Sequence, residues 1–149
     1  MSSAYIKGMI CILTAQNPKS FEDGGNVVID NAWLSQSNSK NYHHFFPKAY
    51  MKKNQLQIEE DLVNHIANIT IVDGYLNKNV IKAKAPSAYM KDCKEKNHEL
   101  EKTMKTHLID DIDNFGIWDN DYKLFMKKRI KKIQEQLKER LIKRAYDEH

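Results

Sequence analysis

Three stretches decide the reading: Y-H-H-F-F-P-K-A-Y at 42–50, H-I-A-N-I-T-I-V-D at 65–73 and N-K-N-V-I-K-A-K-A-P-S-A-Y at 77–89. The first is short, aromatic and stopped by Pro47, which suits an edge or hairpin strand over 42–46. The second leaves a helix expected over 57–67, whose Ile58, Leu62, His65 and Ile66 share one face, and enters the β-branched run Ile69-Thr70-Ile71-Val72. Asp73-Gly74 closes that strand. The third stretch belongs to a short helix over 75–84, ended by Pro86. The order is strand, strand, helix, with two histidines on the first strand, Asn68 at the head of the second and Asn77 on the helix.

Working outward, residues 4–15 carry a helical stripe at Ile6, Met9, Ile10 and Leu13. That helix begins so near residue 1 that the chain reads as a piece of something longer. Asn17-Pro18 and Asp23-Gly24-Gly25 are turn signals, 26–33 is extended, and 35–41 is a polar loop. Beyond the central block, 87–109 is mostly helical with a break near Asn97. Phe115-Gly116-Ile117-Trp118 forms a loop with large apolar anchors. From Asp119 a long amphipathic helix places Met126, Ile130, Ile133, Leu137 and Leu141 on one face, a stripe that suits packing on its own domain better than a coiled-coil seam.

Composition sets the bounds. The chain has 149 residues and 17.5 kDa, the size of one domain, and 41% apolar residues supply a modest core. Five Gly and three Pro exclude collagen-like or Pro-rich sequence. Cys11 and Cys93 form no C-x-x-C motif, so a zinc ribbon or thioredoxin-type site has no support, and two reduced thiols are expected. No apolar run is long enough to span a bilayer, so no membrane partner and a cytoplasmic location are expected. The 24 Lys and Arg against 20 Asp and Glu give a net charge of +4, but the excess is uneven. Residues 40–91 hold 8 basic and 4 acidic side chains and residues 119–149 hold 10 and 6, whereas 92–118 hold 4 and 7. Two basic blocks separated by an acidic spacer point towards a phosphate backbone.

Cleaving a phosphodiester needs an activated water, a cation against the developing charge and help for the leaving oxygen. A histidine with an ordinary pKa of about 6.5 is a competent base at neutral pH. Adjacent side chains on a strand face opposite ways, so His43 and His44 cannot share one role. One faces a metal and the other the water, or one is structural. Asn79 rivals Asn77 as an amide ligand, but on a helix it lies about 200° away, so both cannot face one ion. Each signal alone has a plainer reading: histidines beside aromatics more often pack than ligate, and an Asn at an element's start is usually a cap. Their order and spacing together favour a catalytic site. His65 reads as core packing, and His98, His107 and His149 take no role.

On these residues, with N-P-K-S-F-E-D-G at 17–24, the chain resembles the HNH endonucleases, and more closely the C-terminal HNH domain of GmrSD-type restriction enzymes. The tail with Trp118, Phe125 and Arg129 is also similar. The resemblance implies an α+β, mainly helical domain enclosing a ββα-metal nuclease motif: one domain over 1–149, with its core at about 40–91. It implies His44 as general base and Asn68 as a residue holding the loop or His44 in place. His43 and Asn77 would then be the metal ligands. Asp is commoner at the position of His43, but the His-His pair is similar to that of bacterial toxin nucleases. One divalent ion is implied, Mg²⁺ or Mn²⁺, although an imidazole ligand also suits Ni²⁺ or Zn²⁺. Lys48, Lys52, Lys53, Lys78, Lys82 and Lys84 would meet the DNA backbone, and Arg129 would either clamp the scissile phosphate or pair with an acidic neighbour. The implied partners are foreign, perhaps modified, DNA and an upstream NTPase-like domain of the same polypeptide. The alternatives are a catalytically silent nuclease fold that binds nucleic acid or a protein, and an RNase using the same site.

Overall fold

The computed structural model describes residues 3–27, 43–54, 56 and 58–147. Most of these are helical: α1 (Ser3–Thr14), α2 (Lys48–Lys53), α3 (Glu60–Val63), α4 (Pro86–Lys96), α5 (Leu100–Lys105) and α6 (Tyr122–Asp147). A 3-10 turn covers Ile66–Asn68 and a π-helix covers Leu76–Ile81. The two strands, β1 (His43–His44) and β2 (Ile69–Thr70), pair antiparallel, His43 with Thr70 and His44 with Ile69. The α+β, mainly helical class expected from the sequence holds, and strand, strand and helix follow in the expected order.

The strands expected over 42–46 and 69–72 shorten to His43–His44 and Ile69–Thr70, and three further elements differ from expectation. The helix expected over 57–67 shrinks to α3, because His65 turns the chain extended and its Nδ1 accepts the Ala67 N–H at 3.1 Å, starting the 3-10 turn. Leu62 is consequently exposed instead of facing the core. The helix expected over 75–84 is a π-helix over its centre, closed by the Lys82 N–H on the Asn77 carbonyl at 2.9 Å with Lys82 at φ +50°. Of the extended segment at 26–33, Asn26 forms a lone antiparallel bridge with Lys19; residues 28–42, including the polar loop, lie outside the described residues. The break near Asn97 is where the spacing puts it. The buried Asn97 amide donates to the Phe21 carbonyl and Thr103 Oγ1, and its oxygen accepts the Glu99 N–H.

α6 packs across α1 and the 3-10 turn, with Met9, Ile10 and Leu13 buried beside Met126 and Ile133. Beneath β1 lies an aromatic cluster in which Phe45 stacks on Phe125 (4.6 Å, 13°) and Phe46 meets Tyr122 edge-on (5.2 Å). Burying each phenylalanine contributes roughly 1.5–3 kcal/mol. Cys11 is exposed and Cys93 buried, and both are free. Among the described residues no helix is long and apolar enough to cross a membrane.

Two sequence readings need correction. Arg129 is 1% exposed and does not face a phosphate. It lies four residues after Phe125 and four before Ile133, on the inward face of α6. There its Nη1 donates to the Ala67 carbonyl at 2.9 Å and its Nε to the His107 carbonyl at 3.2 Å, with the Phe125 ring 5.8 Å from the guanidinium carbon. No carboxylate among the described residues pairs with it. Burial pushes its pKa down to about 10, which still leaves it charged at neutral pH. His107, read as a helical residue without a role, follows α5 and is buried. Its Nε2 bonds the Lys19 carbonyl at 2.7 Å, its Nδ1 meets Thr70 Oγ1 at 3.3 Å, and its ring sits edge-on to Phe21.

Removing the guanidinium strands two buried carbonyls, so Arg129→Leu should lose on the order of 2–4 kcal/mol of stability, read from the urea midpoint. His107 makes a second, pH-dependent prediction. Burial pushes its pKa down to about 4, so the unfolded chain binds a proton that the folded chain refuses. Its contribution is complete above pH 6.5 and lost as pH falls towards about 4, amounting to roughly 3 kcal/mol. Urea midpoints across that window should fall more steeply in the wild type than in His107→Gln.

Candidate active site

Two-residue strands provide few ladder bonds, and the side chain of Asn68 extends them. After β1, the Phe45 N–H donates to the Asn68 carbonyl at 2.8 Å and the Phe46 N–H to Asn68 Oδ1 at 2.9 Å. Asn68 Nδ2 donates in turn to the carbonyls of Phe46 (3.2 Å) and Val63 (3.0 Å). The amide has no exposed surface. Of the two duties expected of it, Asn68 thus holds the loop. The C-terminal half adds further ties to the same backbone. Tyr89 Oη donates to the Phe45 carbonyl (2.7 Å) and Tyr122 Oη to the Leu62 carbonyl (2.6 Å), while Arg129 holds the Ala67 carbonyl.

On this frame the two histidines point into different surroundings. His43 is half-buried and hydrogen-bonded to the side chain of Asn77, which the first turn of the π-helix brings to it. Burial lowers its pKa; the Asp73 carboxylate and the Asn77 hydrogen bond oppose that shift, and the Lys78 ammonium adds to it. Asp73 is itself held by the Leu76 N–H at 2.7 Å, which caps the turn carrying Asn77. His44 is buried, with Nε2 3.2 Å from Asn64 Oδ1. Asn79 is exposed and donates to the Tyr75 carbonyl, so it does not compete with Asn77.

The donor set, one imidazole and one amide, is a mixed nitrogen and oxygen pair of the kind that first-row divalent ions accept. The hydrogen bond between His43 and Asn77 shows that the strand and the π-helix bring an imidazole and an amide together, where a cation could be held between them in place of that bond. Among the described residues no cluster of three or more His, Cys, Asp or Glu forms. An ion held here by one imidazole and one amide would keep most of its positions for water or phosphate oxygens.

Of the lysines, Lys48, Lys52 and Lys53 are exposed on α2, which leaves the loop directly after Pro47. Lys78, Lys82 and Lys84 are exposed on and after the π-helix, and Lys78 lies close enough to act on His43. Lys84 already pairs with Asp92 at 2.6 Å, which weakens its claim on a phosphate.

A strand pair, the 3-10 turn before its second strand and a helix, together carrying His43, His44, Asn68 and Asn77, accompany a match over residues 9–140 to the family described as GmrSD restriction endonucleases, C-terminal domain. The chain belongs to this family. No curated protein and no solved structure matches it. For this GmrSD C-terminal domain, sequence reading missed Asn64, the partner of His44, and treated Asp73 only as part of a turn. The signal for Asn64 was its place one turn before Asn68, in N-H-I-A-N at 64–68.

Calorimetric titration with Mn²⁺ should show binding by the wild type, weakened about tenfold or more in His43→Ala and in Asn77→Ala. Asn79→Ala should bind as the wild type does.

Proposed function

We propose that this GmrSD C-terminal domain is a metal-dependent HNH endonuclease that hydrolyses DNA. The observation that carries the reading is the division of the histidine pair: His43 joined to Asn77 on the helix side of β1, and His44 turned to Asn64 on the other. Such a division would give adjacent residues different duties, a cation ligand and a base, whose ring atoms converge on one phosphate in single-metal hydrolysis. A bound Mg²⁺ or Mn²⁺ would stabilise charge on the scissile phosphate and on the leaving 3′ oxygen.

The chain's own residues supply the rest. His44 takes a proton from the attacking water as its oxygen bonds to phosphorus. The P–O3′ bond breaks, and the 3′ oxygen takes up a proton from solvent, leaving a 5′ phosphate and a 3′ hydroxyl. His43 stays neutral at physiological pH because burial lowers its pKa, and neutral imidazole is the form that ligates. Asn68 keeps the loop after β1 fixed so that both rings hold their places. Lys48, Lys52, Lys53, Lys78 and Lys82 offer exposed cations to the phosphates on either side. In the whole protein, an upstream NTPase-like domain would bring foreign, perhaps modified, DNA to this cytoplasmic nuclease unit.

Plasmid nicking with Mn²⁺ or Mg²⁺ tests the assignment. His44→Ala should lose about 10²–10⁴-fold in rate. Undiminished cleavage by that variant would overturn the role of His44, and preference for an RNA substrate in a parallel assay would replace DNA as the target. Salt-dependent binding without turnover in either assay would make the domain a silent nuclease fold.

A further inference from the structure

We infer that Asn64 is a positioning residue for His44: its amide oxygen accepts the Nε2–H of the imidazole and so selects the tautomer whose Nδ1 carries the basic lone pair. The inference rests on the nuclease reading for its catalytic meaning, but its geometry stands on separate observations. Asn64 Oδ1 lies 3.2 Å from His44 Nε2 in a part-buried contact. An amide oxygen can only accept, so a neutral ring bonded to it at Nε2 is protonated there and keeps its lone pair on Nδ1.

The amide is also fixed in position by what surrounds it in the chain. The Leu62 carbonyl receives Tyr122 Oη at 2.6 Å and the His65 N–H at 3.1 Å, and the Val63 carbonyl receives Asn68 Nδ2 at 3.0 Å. On the other side, the His65 carbonyl accepts the Asn68 N–H at 2.8 Å, while the His65 ring accepts the Ala67 N–H. Asn64 sits between carbonyls that are all pinned, on a segment too short to be a regular helix. Asn68, which holds the β1 loop, also holds the Val63 carbonyl, the residue next to Asn64 in the chain. A solvated asparagine at a helix end, the plainer reading, would need no such bracing and would make no bond to a buried imidazole twenty residues earlier in the chain.

The test compares wild type, Asn64→Leu, Asn64→Ala and Asn64→Asp in the full chain. With Mn²⁺ present, Asn64→Leu and Asn64→Ala should lower kcat for plasmid nicking by about 10- to 100-fold, with KM and Mn²⁺ affinity unchanged. Asn64→Asp, which keeps an acceptor, should recover most of the loss. Nitrogen NMR of the His44 ring reads the tautomer without any catalysis: Nε2–H should dominate in wild type and Asn64→Asp and give way to a mixture in Asn64→Leu and Asn64→Ala. If the tautomer and kcat of both truncations match wild type, the inference falls while the nuclease reading stands. If wild type does not cut at all, the nuclease reading falls, and the NMR comparison still decides whether Asn64 selects the tautomer.

Discussion

The Asn68 carboxamide, with no exposed surface, stands at the centre of this domain. Its oxygen and both amide hydrogens are committed to backbone groups of Phe46 and Val63, and its own carbonyl takes the Phe45 N–H. Two strands of two residues could not by themselves hold a pair of adjacent histidines in opposed directions; the pairing would slip or fray. The side chain supplies the bonds that a longer ladder would have supplied. It also reaches Val63, so the segment before the second strand is tied to the loop after the first. The loop that directly follows both histidines is held by that one residue.

Around this clamp the interior contains charge and polarity that a small core would ordinarily exclude. Arg129 is buried without a carboxylate partner among the described residues, and its charge is tolerated because two carbonyl dipoles and an aromatic face point at it. His107, whose own carbonyl is one of the two, stays neutral between the Lys19 carbonyl and Thr70. Thr70 is the strand partner of His43, so this polar seam runs directly behind the sheet. A hydrophobic arginine substitute could fill the space but could not bond the carbonyls.

Much of this was legible from residue order. The helix stripes of α1 and α6, the break at Asn97, the strand signal at Ile69 and the turn at Asp73-Gly74 rest on local rules, and local rules survive folding. The pairing of His43 with Asn77 was legible for the same reason, since one strand and one turn separate Asn68 from the helix. Arg129 was misread because arginine is usually solvated, although its spacing from Phe125 and Ile133 already placed it inward. His107 was misread because nearby lysines and glutamates suggested a surface helix, and only the tertiary fold brings Lys19 and Thr70 to its ring. The shortened α3 and the π geometry of Leu76–Ile81 follow from single bonds, the His65 cap and the Lys82 closure, that periodicity does not reveal.

The ties from Tyr89, Tyr122 and Arg129 to carbonyls of Phe45, Leu62 and Ala67 close loops of 44, 60 and 62 residues. Contacts so distant along the chain must absorb the entropy of loop closure before they return anything, so they persist only while the domain as a whole is folded. The histidine frame is therefore a cooperative property of the whole domain. A peptide holding the histidines, Asn68 and Asn77 would carry every residue of the site and none of these three donors. Its backbone would sample many arrangements, and the division between the two histidines would vanish with the fold that enforces it.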